Sequence, residues 1–197
     1  DRIAVRFFAK SLGIDPAELL ADPYKAYVAG MANAVQQSRY VAKTCLFGVD
    51  ARYGHRGDLL HSDPTVCTDS DEVLRVALRY PEQFIPFCSV NPRRADAVDE
   101  LHRLKEAGCR GAKFLQNYWH LDTNDQRLAP YYEALRDLGL PLIIHLGSEF
   151  SVSAKREYEG ADMLRLPLEC GVTVIAAHMA LGQLNYRWRP WLNLSRN

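Results

Sequence analysis

Apolar residues along this chain follow two spacings, one typical of helices and one typical of buried strands. Helical spacing predicts a first helix over residues 24–39. Nearly continuous apolar runs, as expected for strands covered on both faces, predict five strands. These predicted strands cover residues 41–50, 84–90, 111–116, 142–146 and 172–177.

Further helices are predicted between and after these strands. They cover residues near 71–80, 91–108, 127–138, 161–170 and 183–194, and a polar loop is predicted from Asp50 to about Pro64. Pro92 and Gly108 mark the bounds of one helix, because proline is favoured in the first turn and glycine just past the end. The later strands recur about every 30 residues and each is followed by a helix, which is typical of βαβ units. We therefore expect a parallel sheet in an α/β fold.

Two architectures fit this order of elements. One is an open, doubly wound sheet, and the other is part of an eight-stranded (β/α)8 barrel of the TIM type. No G-x-G-x-x-G or P-loop motif follows a predicted strand, so nothing supports an open sheet that binds nucleotides. A complete barrel takes about 250 residues, whereas this chain has 197. We expect residues 1–197 to be a single, incomplete barrel domain.

Composition narrows the range of partners. The formal net charge is +0, the sequence pI is about 7.2 and 48% of residues are hydrophobic, so we expect neither a nucleic-acid nor a membrane-surface partner. No apolar run approaches the roughly 20 residues of a transmembrane helix, and no signal peptide is recognisable. The five cysteines form no C-x-x-C pair, which favours reduced thiols in a cytoplasmic protein.

His145 and His178 are the first candidates for chemistry, because each follows an apolar strand run directly. The carboxyl ends of barrel strands are where TIM-barrel enzymes place their active sites. A neutral imidazole can bind zinc or act as a general base. The alternative for either histidine is a buried ring that bonds to a backbone carbonyl, but the pair at equivalent strand ends favours a shared pocket.

Other polar residues occupy comparable positions. Lys113 lies within an apolar strand, where burial is unfavourable unless the charge is used or paired, so it is a second catalytic candidate. The alternative is a lysine whose head reaches water or a neighbouring acid. Asp50 and Asn117 are candidates for substrate binding, although Asp50 could equally cap the following loop.

The remaining polar residues have weaker assignments. Asn91 is better explained as a helix cap. Gln116 occupies a comparable strand-end position, and residues 117–120 could wall a pocket or simply form a loop. No G-x-S-x-G motif is present, which leaves covalent acyl transfer without support.

In the order and spacing of these residues, the chain resembles the amidohydrolase superfamily. Within it, the chain resembles the amidohydrolase-related group, which contains metal-dependent hydrolases and aminocarboxymuconate-semialdehyde-type decarboxylases. The resemblance spans roughly residues 40–185. The matching stretches are residues 46–50, 90–92, 108–113, 139–147 and 171–178. It implies a distorted (β/α)8 barrel, of which this chain would supply about strands 2 to 6.

The resemblance also implies roles for individual residues. His145 resembles the metal ligand on the family's strand 5, and His178 resembles the strand 6 histidine, which binds a second metal or acts on water or substrate. Lys113 matches a strand 4 position that is a carbamylated lysine in some members. The family's His-x-His motif of strand 1 is absent from this sequence, and the strand 8 aspartate is expected to be missing together with strands 1, 7 and 8.

The function implied is a metal-dependent hydrolase that acts on a small amide, lactone or carboxylate through metal-activated water. Zinc is the expected divalent metal, although an incomplete ligand set could leave it absent. One alternative is a decarboxylase of the same family, in which His178 would protonate a carbanion. Another is a non-catalytic binding or structural barrel. Because an incomplete barrel exposes sheet edges, self-association into a homo-oligomer is a further expectation.

Overall fold

The structure is a computed structural model that describes residues 9–10, 13–63, 66–148 and 152–180. Its α-helices are α1 (Pro16–Ala21), α2 (Pro23–Gln36), α3 (Ser70–Arg79), α4 (Ala97–Glu106), α5 (Gln116–Trp119), α6 (Ala129–Asp137) and α7 (Arg165–Glu169). Its strands are β1 (Thr44–Phe47), β2 (Arg52–Tyr53), β3 (Leu59–His61), β4 (Phe84–Cys88), β5 (Gly111–Phe114), β6 (Leu142–Ile144) and β7 (Val174–Ala176). Short 3-10 turns cover Gln126–Leu128, Arg156–Tyr158, Ala161–Leu164 and Ala177–Ala180. The helix predicted over residues 183–194 lies outside the described residues.

The chain divides into two compact units. The first comprises residues 1–46 and 75–85, and the second comprises residues 47–74 and 86–197. No helix within the described ranges is long and apolar enough to cross a membrane.

Helix α2 of the first unit begins with a side-chain cap. The Asp22 carboxylate accepts a hydrogen bond from the Lys25 amide at 3.0 Å, which satisfies one of the donors that a helix start leaves open. Val28 of this helix packs with Phe84 in a small core. The helix predicted over residues 24–39 is therefore confirmed, with bounds shifted by one to three residues.

The second unit contains a parallel sheet with the strand order β4-β5-β6-β7. Lys113, Ile143 and Ile175 form one row of paired residues across its last three strands. Each of these strands is separated from the next by at least one helix. The predicted parallel α/β arrangement is confirmed for this part of the chain.

The two faces of this sheet carry different residues. One face contributes to the main hydrophobic cluster of the unit, in which buried residues of the sheet pack with residues of α4 and α6. These residues are Ala112, Phe114, Leu142, Ile144, Leu101, Leu104, Tyr132 and Leu135. Because side chains alternate along a strand, Lys113 and Ile143 lie on the opposite face. The side chain of Phe87 lies against Gly111, its partner in the register.

Two predictions for the loops were wrong. The segment predicted as a loop from Asp50 to Pro64 contains β2 and β3, a short antiparallel pair. Its two strands have only two and three residues, which is too short to leave a recognisable alternation.

Helix α4 begins at Ala97 rather than at Asn91, so Asn91 does not cap a helix. The Asn91 side chain instead accepts a hydrogen bond from the Arg93 amide at 3.1 Å. An asparagine that bonds its own backbone two residues later favours a turn over a helix.

Candidate active site

The two histidines that follow the apolar strand runs lie side by side. His145 comes directly after β6, and His178 lies two residues after β7. The last residues of these strands, Ile144 and Ala176, are register partners, so both histidines lie at the same edge of the sheet. Their ring centroids are 4.9 Å apart, with an interplanar angle of 67°. The structure thus brings together the two residues for which the sequence predicted a shared pocket.

The two rings differ in exposure and in backbone conformation. His145 is buried, with 5% of its surface exposed, whereas His178 is exposed. The backbone of His178 has a φ of 58°, in the left-handed region that non-glycine residues rarely adopt. Such conformations store about 1–3 kcal/mol and cluster at functional sites. One imidazole is therefore held in the protein interior and the other can reach solvent.

Lys113 is buried within β5, with 5% of its surface exposed. Its ammonium group donates a hydrogen bond to the Phe114 carbonyl and lies 5.6 Å from the ring centroid of Phe47. The alternative of a lysine head in open water is therefore wrong. Lys113 is the register partner of Ile143, and His145 lies two residues further along, so alternation places Lys113 and His145 on the same face.

The Asp50 carboxylate is occupied by backbone groups. It accepts hydrogen bonds from the Ala51 amide at 2.7 Å and the Asn91 amide at 2.8 Å, and Arg94 lies 3.5 Å away. Burial raises the pKa of Asp50 above its ordinary value, although these hydrogen bonds and Arg94 act in the opposite direction. The residue borders a cavity of about 530 Å³ that neither histidine lines. A substrate-binding role for Asp50 stays a prediction.

Asn117 is completely buried in the first turn of α5. Its side-chain oxygen accepts a hydrogen bond from the Tyr118 amide at 3.0 Å, and its side-chain nitrogen donates to Glu159 at 3.2 Å. Both polar atoms of the Asn117 side chain therefore have a hydrogen-bond partner within the protein. A substrate-binding role for Asn117 stays a prediction.

Gln116 has a role at the site that the sequence did not reveal. Its side-chain nitrogen donates to the His145 carbonyl and to the Tyr158 carbonyl at 2.8 Å. The residue is completely buried, so this amide joins the end of β6 to the segment near Tyr158. A polar residue directly after a strand was the available signal, but its partners depend on how the later loop folds.

Imidazole nitrogen is a good ligand for zinc, but catalytic zinc sites usually have three protein ligands. Among the residues that the structure describes, no group of three or more histidine, cysteine, aspartate or glutamate side chains could hold a metal. The roles of His145 and His178 as metal ligands stay a prediction.

Parallel strands separated by helices, with polar residues at their carboxyl ends, define an α/β protein of the TIM-barrel type. A solved structure of an uncharacterized TIM-barrel protein from Bordetella bronchiseptica agrees with this class, with a TM-score of 0.60 and 17% sequence identity. The match covers 98% of this chain and 63% of that one, so the chain spans less than two thirds of the length of that structure. At this identity the likeness shows the fold alone.

The family follows from a comparison of sequence. The family model described as amidohydrolase matches residues 17–196, and the chain belongs to this family. No curated protein matches the chain. The predicted amidohydrolase resemblance and the incomplete TIM-barrel fold are both confirmed by these findings.

Proposed function

We propose that the protein is a metal-dependent hydrolase that acts on a small amide, lactone or carboxylate. The observation that supports this proposal is the contact between the rings of His145 and His178. Their centroids are 4.9 Å apart, just after the ends of neighbouring strands. In TIM-barrel enzymes the catalytic residues come from these strand ends. Family membership supports the same class of reaction.

The two histidines would have different tasks because their surroundings differ. His145 would hold the metal, since its ring is buried and Gln116 fixes its backbone carbonyl. A bound divalent ion, zinc by preference, would lower the pKa of a coordinated water toward neutrality. His178 would orient that water or accept its proton at a ring nitrogen, and its exposure would let the proton pass on to solvent.

Lys113 would supply a positive charge on the same face of the sheet. Its ammonium group donates to the Phe114 carbonyl, and a cation at this position would favour a substrate that carries negative charge, such as a carboxylate.

The test is a measurement of metal content in the product of the complete gene. We expect His145→Ala to lower metal affinity about 10-fold or more, because a ligand is removed from a set of few. His102→Ala is the matched control, since His102 is exposed on α4. Unchanged metal stoichiometry by elemental analysis would contradict the assignment of His145.

The reaction itself is tested with a panel of amides, lactones and carboxylates. Hydrolysis that depends on added metal and is lost in His178→Asn would support the proposal. Release of carbon dioxide without hydrolysis would identify the protein as a decarboxylase instead. Ligand binding to the metal-free protein with no turnover of any kind would favour the non-catalytic alternative.

A further inference from the structure

A second cavity in the second unit is lined by residues of β2, of the turn after β4 and of segments that follow β5 and β6. We call it the arginine cleft and define it by Arg52, Arg93, Trp119, His120, Lys155 and Tyr158. Its volume is about 560 Å³, which is within the range of small-molecule sites. Neither His145 nor His178 lines it.

Two guanidinium groups meet in this cleft at His120. Arg52 Nη2 lies 2.6 Å from His120 Nδ1, and Arg93 Nη2 donates to the His120 carbonyl at 3.2 Å. Arg93 Nη1 donates to the Tyr53 carbonyl at 3.3 Å. The partners of both arginines are therefore uncharged backbone or ring groups, provided that His120 is neutral.

The electrostatics of His120 support its neutral form. Burial lowers the pKa of His120, and the positive charges of Arg52 and Lys155 lower it further. A neutral imidazole keeps one ring nitrogen as an acceptor, which suits the short contact with Arg52. Burial also lowers the pKa of Arg93, while Tyr158 and Asp125 act in the opposite direction and the charges of Arg127 and Arg52 lower it further.

Other charges around the cleft are matched locally. Arg127 bonds to Asp125 at 2.9 Å, and Lys155 lies 3.6 Å from Glu157. Asp122 also lines the cleft but is exposed to solvent.

By contrast, neither Arg52 nor Arg93 forms an ion pair with a carboxylate anywhere in the described ranges. Arg52 Nε is buried and has no hydrogen-bond partner among those same residues. The cleft therefore contains two guanidinium groups that no carboxylate of the described residues contacts, although Asp122 and Asp125 also line it.

We propose that the arginine cleft binds the oxyanion group of a small molecule, either a carboxylate or a phosphate. Each guanidinium group has five N–H donors in a planar arrangement that suits two-oxygen acceptors, and the contacts above use few of them. An oxyanion between Arg52 and Arg93 would neutralise both charges. This site goes beyond the proposed hydrolase reaction, and it requires neither metal nor turnover.

The test is isothermal titration calorimetry of the metal-free protein with inorganic phosphate and, separately, with succinate, at constant ionic strength set by chloride. We expect saturable binding of at least one of these anions. Arg52→Gln and Arg93→Gln should each weaken it about 10-fold or more, because each removes charge-assisted hydrogen bonds. Arg127→Gln is the matched control, since Asp125 already neutralises that charge in the same cleft, and it should change affinity by no more than about twofold.

Further variants separate loss of binding from loss of folding. Arg52→Lys and Arg93→Lys keep the charge and should bind more tightly than the glutamine variants but more weakly than the native protein. A native thermal transition for each variant shows that the fold is retained. Preference for phosphate or for succinate identifies the kind of oxyanion.

Two outcomes would overturn the proposal. One is the absence of saturable binding of either anion to the native protein. The other is a loss of anion affinity in Arg127→Gln as large as that in Arg52→Gln and Arg93→Gln. That result would mean that general positive charge, and not the guanidinium groups of Arg52 and Arg93, attracts the anion. Because metal content and turnover are not measured here, failure of this test leaves the proposed hydrolase function untouched.

Discussion

His178 combines a position just after a strand with an unfavourable backbone conformation. Its φ of 58° accompanies the approach of its ring to within 4.9 Å of the His145 ring, centroid to centroid. Asparagine adopts this conformation more readily than most residues, whereas a β-branched residue at positive φ is a true outlier. The residue at this position therefore affects both the chemistry and the stability of the fold.

This difference leads to a prediction for two substitutions at His178. His178→Asn should keep the free energy of unfolding within about 0.5 kcal/mol of the native value, while His178→Val should lower it by a further 1–3 kcal/mol or so. Both remove the imidazole, so both should lose its contribution to catalysis. Urea denaturation of the two variants measures the difference. Equal stabilities would show that the left-handed conformation is not retained in solution.

Asp50 provides a prediction about pH at the same scale. Burial raises its pKa above the ordinary value of 3.8, so the folded protein holds this proton more tightly than the unfolded chain. The stabilising contribution is then complete at low pH and is lost as pH rises through the raised pKa. We expect the unfolding free energy of the native protein, minus that of Asp50→Asn, to fall as pH rises above the ordinary pKa of 3.8 and through the raised pKa of the folded protein.

The control for this experiment is a carboxylate with the opposite shift. A hydrogen bond from Arg94 lowers the pKa of Asp96, so the same difference for Asp96→Asn should rise with pH, though modestly because the group is exposed. Chemical denaturation at a series of pH values measures both. A difference for Asp50 that rises with pH would contradict the expected direction.

At the scale of elements, the contact between β4 and β5 depends on a missing side chain. Phe87 and Gly111 are register partners, and a Cβ atom at Gly111 would lie 2.1 Å from Phe87 Cε1. Two non-bonded carbon atoms cannot approach so closely, so the Phe87 ring or the strand would have to move. Glycine at position 111 leaves room for the Phe87 ring, so that β4 and β5 can pair at this point.

We therefore predict that Gly111→Ala destabilises the protein by about 1–3 kcal/mol through overpacking. Adding Phe87→Ala should produce a double variant whose loss is smaller than the sum of the two single losses, because the clash is removed. Gly139→Ala is the comparison, since nothing lies within 4 Å of its Cβ position and only the φ of 61° is strained. Additive losses for Phe87 and Gly111 by thermal or urea unfolding would refute the steric explanation.

Elements with long apolar patterns could be predicted from sequence, and short or locally bonded ones could not. Helix α2 has 14 residues, enough for the 3.6-residue period to be visible. The pairing of β2 with β3 depends on few residues, and the start of α4 depends on whether Asn91 bonds its own backbone or a helix. Such choices are decided by tertiary contacts that a local pattern does not contain.

At the scale of the whole molecule, the sequence was sufficient to predict those features of the candidate site that depend only on the order of the strands. The expectation that His145 and His178 lie at one sheet edge needed only a parallel sheet, and the structure places their rings in contact. The arginine cleft could not be found in this way. Its arginines come from β2 and from a turn after β4, and its other walls come from later loops, so no periodic pattern links them.

Family membership and fold determine which experiments can test the function. The chain belongs to the amidohydrolase family over residues 17–196, yet it covers 63% of the solved TIM-barrel structure that it resembles. Two imidazoles are fewer than a catalytic zinc site usually has. Experiments on metal and turnover test the proposed hydrolase function, whereas anion binding to the arginine cleft is measured without metal or turnover.

The Gln116 amide sets a condition for moving this site into another protein. One nitrogen bonds both the carbonyl after β6 and the carbonyl of Tyr158, and Tyr158 also walls the arginine cleft. A designer who transplanted His145 and His178 alone onto a different barrel would leave the His145 backbone without this donor. The smallest portable unit therefore includes Gln116 and the turn Arg156–Tyr158, because both take part in this pair of hydrogen bonds.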